Sequence, residues 1–410
     1  MANTSGFRSI TLEDIRSARE LLKNTITLTP VRKSPPHFTI AGTEIWLKLE
    51  NEQLTGSFKI RGAMNKMSSL TADERKRGVV LSSAGNHAQG VAYAAKLLGV
   101  SANIVMPLTT PIVKVNATRS YGANVILHGE FYDEAFAYAK ELEKEKGYIF
   151  VHAFDDSQVI AGQGTLGLEI LEQIADLDSI IVPIGGGGLI SGIASAAKAL
   201  KPSIRIIGVV SDQAPAMMNL KNGEAVTERK KRIATIAEGI AVKNPSYRIY
   251  ETYISKLVDQ IVQVEDNEVA QAIVFLMEKA KTVTEGAGAA GFAALMSKGE
   301  TLSLGAKTCV VLCGGNIDLN VMSKVIERGL RQEHRLARMT VVADDLPGNL
   351  QRITSIMAEH RANILEVYHD RVSAELGIRE TRIDLLVETA SEEHIQKIKA
   401  TLKDQGFKVM

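Results

Sequence analysis

From about Gly78 onward, short apolar runs rich in β-branched residues alternate with stretches whose apolar residues fall three and four apart. The runs are Val79–Leu81, Asn103–Met106, Asn124–Leu127, Tyr148–Val151, Ile180–Ile184, Ile204–Val210, Ile261–Val264 and Cys309–Leu312; Ala88–Leu98 and Asp133–Lys146 are two of the helical stretches between them. Alternation of these two periods predicts strand–helix–strand units with right-handed crossovers, and so parallel sheets covered by helices on both faces. Eight or more such strands with a cleft exceed one compact unit, so this α/β region is expected in two lobes.

The pattern changes near Glu327. Arg328 to Arg338 is charged and lacks strand character, which reads as a linker or an exposed helix. Beyond it, strand, helix, strand, strand, helix and strand patterns follow at Met339–Ala343, Asn349–His360, Asn363–His369, Arg382–Glu388, Glu392–Leu402 and Phe407–Met410. This βαββαβ order is the ferredoxin-like signature, and roughly seventy residues suffice for a separate small domain.

A net charge of +1 over 410 residues argues against a nucleic-acid partner, which needs a concentrated basic face. Met1 to Phe7 is polar and lacks the charged-then-apolar order of a signal peptide. Ser179 to Leu200 has the length of a membrane span, but its proline, four consecutive glycines and Lys198 fit a strand, a glycine loop and a helix better. No membrane association is expected. Cys309 and Cys313 stand four apart in one apolar run, too far along a strand to bond. The eight histidines show no metal-ligand spacing, so a reducing, cytoplasmic setting without a metal is expected.

Four constellations carry chemistry. In Gly56-Ser57-Phe58-Lys59-Ile60-Arg61-Gly62 a lysine follows a glycine-containing loop and opens a helix. A helix N-terminus and an apolar surround both disfavour its ammonium, which makes the amine nucleophilic. Taken alone, Lys59 reads far better as one surface lysine among 48 basic residues. Ser82-Ser83-Ala84-Gly85-Asn86-His87 lies where a strand opens onto a helix, and its backbone N–H groups and hydroxyls suit a small carboxylate. A capped turn would account for Ser83 and Gly85 but not for Asn86 and His87. Gly185-Gly186-Gly187-Gly188-Leu189 lets backbone wrap an anion at a helix N-terminus. Its spacing fails both the dinucleotide fingerprint and the P-loop, which suggests a phosphorylated cofactor that is not a nucleotide; a merely flexible turn is the alternative, against which the entropic cost of four glycines stands. Val310 to Cys313, running into Gly314-Gly315-Asn316, is another strand entering glycines, and Cys313 there is as consistent with a buried structural thiol as with a functional one.

In this order the four motifs resemble the fold-type-II pyridoxal-phosphate enzymes (tryptophan synthase β-like), specifically the threonine/serine dehydratase group. The resemblance runs from about Thr11 to Gly329. It implies a two-lobed catalytic domain over 1–326, with a small lobe of roughly 52–155 inserted in the large one, a linker over 327–338 and a regulatory domain over 339–410. It implies pyridoxal 5'-phosphate as cofactor, with Lys59 as catalytic residue and Schiff-base lysine beside Phe58. The phosphate would lie against Gly185, Gly186, Gly187, Gly188 and Leu189, the ring hydroxyl against Asn86 and the pyridine nitrogen against Cys313, with Gly239 nearby. Ser83, Ala84, Gly85, Asn86 and His87 would hold the substrate carboxylate, with Glu285 close by.

The activity implied is a carbon–nitrogen lyase converting L-threonine to 2-oxobutanoate and ammonia, and L-serine to pyruvate. Serine often stands where Cys313 does in threonine dehydratases, and cysteine in serine-preferring ones, so a preference for serine or 3-hydroxyaspartate stays open. Related racemases carry a second proton-bearing serine at the place of Ala84 and acidic cation ligands near Val210 and Ala216; neither feature is present here. An inactive amino-acid-sensing protein is the reading from another class, against which intact Lys59, Asn86 and the glycine loop stand. The C-terminal region resembles an ACT domain through Asp345-Leu346-Pro347-Gly348-Asn349-Leu350 and Asn363. This implies an amino-acid effector, allosteric control of the kind found in isoleucine biosynthesis, and a homodimer or homotetramer, since such domains pair. A purely structural dimerisation module is the alternative.

Overall fold

The computed structural model describes the chain except residues 1–7, 225, 227–232 and 373–375; the polar start read above lies outside the described residues. The chain forms two compact units, Met1–Asp318 and Leu319–Met410.

The first unit begins with the helix Leu12–Leu22, started by a reciprocal cap in which Thr11 and Asp14 satisfy each other's backbone N–H. Two short strands follow, β1 (Val31–Lys33) and β2 (Glu44–Lys48), paired antiparallel. Neither emerges from the strand–helix alternation, because both precede it and carry charged residues. Next come β3 (Val79–Ser82), β4 (Ala102–Met106), β5 (Asn124–Leu127) and β6 (Ile149–Phe150), which form a parallel sheet in the order β5-β4-β3-β6. The remaining strands, β7 (Ser179–Pro183), β8 (Arg205–Ser211), β9 (Gln260–Val264) and β10 (Lys307–Val311), join the first two in the order β1-β2-β10-β7-β8-β9. Every pairing in this second sheet is parallel except β1 with β2. The expected two parallel sheets are therefore present, one per lobe.

Sheet order decides where the motifs meet. Adjacent β2, β10 and β7 all end on the same side, so the loops leading to Lys59, through Cys313 and through the four glycines come out together. The helix Lys59–Ser68 packs against Asn86–Leu98 of the small lobe and against Ser157–Gln173, which in turn packs on Gly188–Leu200. Those helices bury Ile60, Met64, Met67, Ala88, Val91 and Ile190 almost completely, which holds the site-bearing helix ends in register.

The second unit contains the helix Leu319–Gln332, then β11 (Leu336–Asp344), a helix Asn349–Glu359, β12 (Asn363–Asp370), β13 (Glu380–Glu388), a helix Glu392–Asp404 and β14 (Lys408–Val409). The sheet is antiparallel in the order β12-β13-β11-β14, the ferredoxin-like arrangement. Alternate residues of β11 and β13, among them Met339, Val341, Ile383 and Leu385, face the two helices and are fully buried with Ile353, Met357, Ile398 and Leu402. Residues 327–338, read from sequence as a linker or exposed helix, comprise the end of a helix, a short turn and the start of β11.

Candidate active site

Lys59 is the first residue of its helix, and Phe58 precedes it. The Lys59 loop is stitched to the Cys313 loop: Phe58 N–H donates to the Cys313 carbonyl (3.1 Å), Gly315 N–H to the Gly56 carbonyl (2.8 Å), and Ser57 bridges Gly314. The Lys59 Nζ donates to the Ala153 carbonyl at 3.1 Å and lies 5.1 Å from the Phe58 ring centre. Burial lowers the Lys59 pKa to about 8, with Cys313 and Glu285 pulling weakly the other way. A substantial fraction of this amine is therefore neutral near physiological pH, as a nucleophile or proton acceptor requires.

Asn86 opens the helix Asn86–Leu98 after Gly85. Its Nδ2 donates to Glu285 Oε1 at 2.6 Å, and its Oδ1 accepts from Asn316 Nδ2 at 2.8 Å. Glu285 stands at the N-cap of the helix Gly286–Lys298 but does not cap it with its side chain, which is turned to Asn86. Burial pushes the Glu285 carboxyl up to about 7 against the opposing effect of Asn86. Gly239, in the turn Glu238–Ile240, adjoins the same carboxylate: a methyl placed there would lie 3.6 Å from it and 2.9 Å from Ala287. Cys313 is 3 % exposed, and its Sγ lies 3.4 Å from the Ala287 carbonyl. Burial first, then the charge of Glu285, raises its thiol pKa, so it stays protonated.

The remaining residues of the Ser82–His87 loop divide. Ser83 Oγ accepts from Gly85 N–H at 3.3 Å, and a side chain at Gly85 would meet open space, so nothing covers the turn on that side. Ala84 is half-buried. His87 is 4 % exposed, and its Nε2 is bound to the Val151 carbonyl at 3.0 Å. Burial lowers its pKa to about 3, so it is neutral and ties this helix to the end of the small sheet.

The four glycines follow β7, with Gly187 at φ +90° and Gly188 beginning the helix Gly188–Leu200. A methyl on Gly186 would fall inside the Phe154 ring, so any larger residue here would have to displace that ring. The turn therefore presents bare backbone N–H groups at a helix N-terminus, an anion cradle. Ser191, in the first turn of that helix, has a hydroxyl buried without a hydrogen-bond partner, as do Ser57 before Lys59, Ser82 at the end of β3 and Thr284 before Glu285. An orphaned hydroxyl next to a cradle, and a lysine of lowered basicity, fit a phosphorylated aldehyde cofactor.

Three participants escape a sequence reading. Phe154 fills the space above the glycines and has no motif. Asn316 belongs to the fourth motif, but its partner Asn86 is 230 residues away. Beneath Lys59, Arg61 is fully buried between Glu50 and Glu169, with which Lys48 and Thr29 complete a closed network. Acidic and basic residues 100 positions apart give no local sign of pairing.

In the second unit Gly348 (φ +93°) makes the turn into Asn349–Glu359, and Asn349 Nδ2 donates to the Asp344 carbonyl at 2.8 Å. Leu350 is 37 % exposed on the helix's first turn, and Asp345 pairs with Arg371 at 3.3 Å. Asn363 is not brought to this turn. It pairs with Glu388 at the other end of the sheet, because the helix between carries the chain back along β11.

Residues 22–314 match the family model described as pyridoxal-phosphate dependent enzyme. An L-threonine ammonia-lyase of Thermotoga maritima is 46% identical over 401 residues, covering 98% of this chain and 99% of that protein. Among solved structures, maize serine racemase superposes with a TM-score of 0.73 at 34% identity, over 80% of this chain and 100% of that one. Threonine deaminase isoform 2 of Solanum lycopersicum does so at 0.72 and 35%, over 77% and 86%. With the lysine, the glycine cradle and this full-length similarity together, the chain belongs to the family of pyridoxal-phosphate-dependent enzymes.

Proposed function

We propose that this enzyme is a threonine ammonia-lyase, releasing 2-oxobutanoate and ammonia from L-threonine. The observation that carries the reading is the partly neutral Lys59 amine, held by the Ala153 carbonyl, beside a glycine cradle packed on Phe154. Pyridoxal phosphate, when bound, supplies a conjugated electron sink for the substrate's Cα bond. In this reading Lys59 would hold the cofactor through its aldehyde carbon, and its Nζ would accept the substrate's Cα proton. Backbone N–H groups of Gly185 to Leu189 hold the phosphate, and Asn86 the ring hydroxyl. Cys313 keeps its proton and already faces the Ala287 carbonyl, so it would be a weak partner for the cofactor's ring nitrogen. The Ser83–Gly85 backbone, with open space beside Gly85, would orient the substrate carboxylate. The dehydrated enamine product, once released, tautomerises and hydrolyses to the keto acid and ammonia. Ala84 has no proton to return to the opposite face, which supports elimination over racemisation despite the fold shared with a racemase.

The same reading extends to serine as a second substrate, to an amino-acid effector on the βαββαβ unit, and to a homo-oligomer in the cytoplasm. Among the described residues no helix is long and apolar enough to cross a membrane. The test is a visible spectrum of the purified protein with and without L-threonine, with 2-oxobutanoate followed in the same cuvette. A cofactor band abolished by Lys59→Ala, with keto acid formed from threonine faster than from serine or 3-hydroxyaspartate, supports the reading. A protein that takes up no pyridoxal phosphate refutes it.

A further inference from the structure

We infer that Asn316 is a positioning residue which, together with Glu285, fixes the orientation of the Asn86 amide so that Asn86 can present only an N–H donor to the cofactor. The Thr55 carbonyl can only accept, and Glu285 accepts from Asn86 through Oε1. The Thr55 carbonyl accepts from Asn316 Nδ2 at 2.8 Å, which sets the Asn316 amide with nitrogen toward Thr55 and Asn86. The same nitrogen donates to Asn86 Oδ1 at 2.8 Å, so both Asn316 hydrogens are spent and the Asn86 oxygen is held on that side. Asn86 Nδ2 is thereby directed to Glu285 Oε1, the second acceptor, at 2.6 Å. A flipped Asn86 would set its Nδ2 against the Asn316 nitrogen, losing that bond, and its Oδ1 against Glu285, which could pair with it only when protonated.

The surroundings are built to this network. Gly56 has φ +70°, and a methyl there would collide with Asn316 Oδ1. A methyl on Gly314 would lie 2.5 Å from Glu285 Oε1 and 3.2 Å from Asn86 Nδ2. The amides are clamped from both sides, and one Asn86 N–H remains uncommitted. Resting on the proposed reading, in which the cofactor's ring oxygen meets Asn86, this orientation offers that oxygen a donor alone and so selects its deprotonated form.

The test inverts the polarity of the network. Asn316→Asp replaces the double donor by an acceptor and sets Asn86 between two carboxylates. Asn316→Asp combined with Glu285→Gln supplies an acceptor on one side and a donor on the other, so the Asn86 amide turns over and presents its oxygen. Both are loaded with pyridoxal phosphate, checked for fold by circular dichroism, and compared with wild type and with Glu285→Gln alone. The readouts are the ratio of long- to short-wavelength cofactor bands, which follows the protonation of the ring oxygen, and the cofactor Kd by equilibrium dialysis. For Asn316→Asp we expect roughly 10- to 100-fold weaker cofactor binding, the loss of one charge-assisted or strongly oriented hydrogen bond. In the double variant the affinity recovers relative to Asn316→Asp while the short-wavelength band predominates. Glu285→Gln alone, which can still accept, keeps the wild-type band ratio. If Asn316→Asp does not fold, the double variant against Glu285→Gln decides alone. A double variant with the wild-type ratio overturns the inference, whereas a wild type that takes up no cofactor overturns the reading beneath it.

Discussion

Arg61→Met should be one of the most damaging single substitutions outside the cofactor cradle. The guanidinium is fully buried and donates to Glu50 through Nε (2.7 Å) and Nη2 (2.8 Å), to Glu169 through Nη1 (2.6 Å) and Nη2 (2.8 Å), and to Thr165 (3.1 Å). Lys48 also reaches Glu169 at 2.8 Å, so two cations balance two carboxylates. Methionine fills much of the volume but leaves the network with a net negative charge. Glu169 keeps Lys48, but Glu50 keeps only the Thr29 hydroxyl. Breaking a buried pair in this way costs about 3–5 kcal/mol. Burial by itself pushes the Glu50 carboxyl up, and Arg61 outweighs it, so in the wild type the net shift is downward. A depressed carboxylate stabilises the fold above its unfolded pKa, and that stability is lost as pH falls through the folded value. Without Arg61 the shift reverses, so the variant's deficit should shrink as pH falls from neutral toward 5. Adding Glu50→Gln restores neutrality and should recover about 1–3 kcal/mol through coupling of neighbouring sites. Urea unfolding of the full chain measures this, followed by the fluorescence of Trp46, the single tryptophan, which lies on β2 in the first unit. A loss below about 1 kcal/mol, or a double variant no more stable than Arg61→Met, would refute the reasoning.

Other outcomes follow from the same geometry. Gly186→Ala drives a methyl into the Phe154 ring, costs about 1–3 kcal/mol, and should weaken pyridoxal-phosphate uptake measured by dialysis; Phe154→Leu in the same chain should restore part of it. His87 is neutral when folded, with its pKa lowered to about 3, so the unfolded chain binds its proton first and stability falls as pH drops from about 6.5 toward 3. His87→Gln should flatten that limb of a melting-temperature series, leaving the smaller share of His152, whose pKa burial lowers to about 4. The Lys114–Glu238 pair (2.6 Å) is largely solvated on the Glu238 side, so Lys114→Ala should change urea stability by about 0–1 kcal/mol and remove a salt-sensitive part of it.

Local order was legible along the chain because it rests on local causes. Strand and helix periods come from each segment's own apolar spacing, so β3 to β10 and the βαββαβ tail lie within a few residues of their expected bounds. The glycine cradle and the helix-opening positions of Lys59 and Asn86 are likewise matters of adjacent residues. What the tertiary structure decided is which distant groups share a hydrogen bond. His87 turned to Val151 at the small sheet rather than to the cleft, and Asn363 lies at the far end of its sheet from Gly348. Glu285 left its own helix uncapped to reach Asn86, and Arg61 found Glu169 through the crossing of two helices. A buried charge or amide takes whichever partner the packed backbone puts within about 3 Å. That distance depends on sheet order and helix crossing, which nothing in the spacing of residues along one segment encodes.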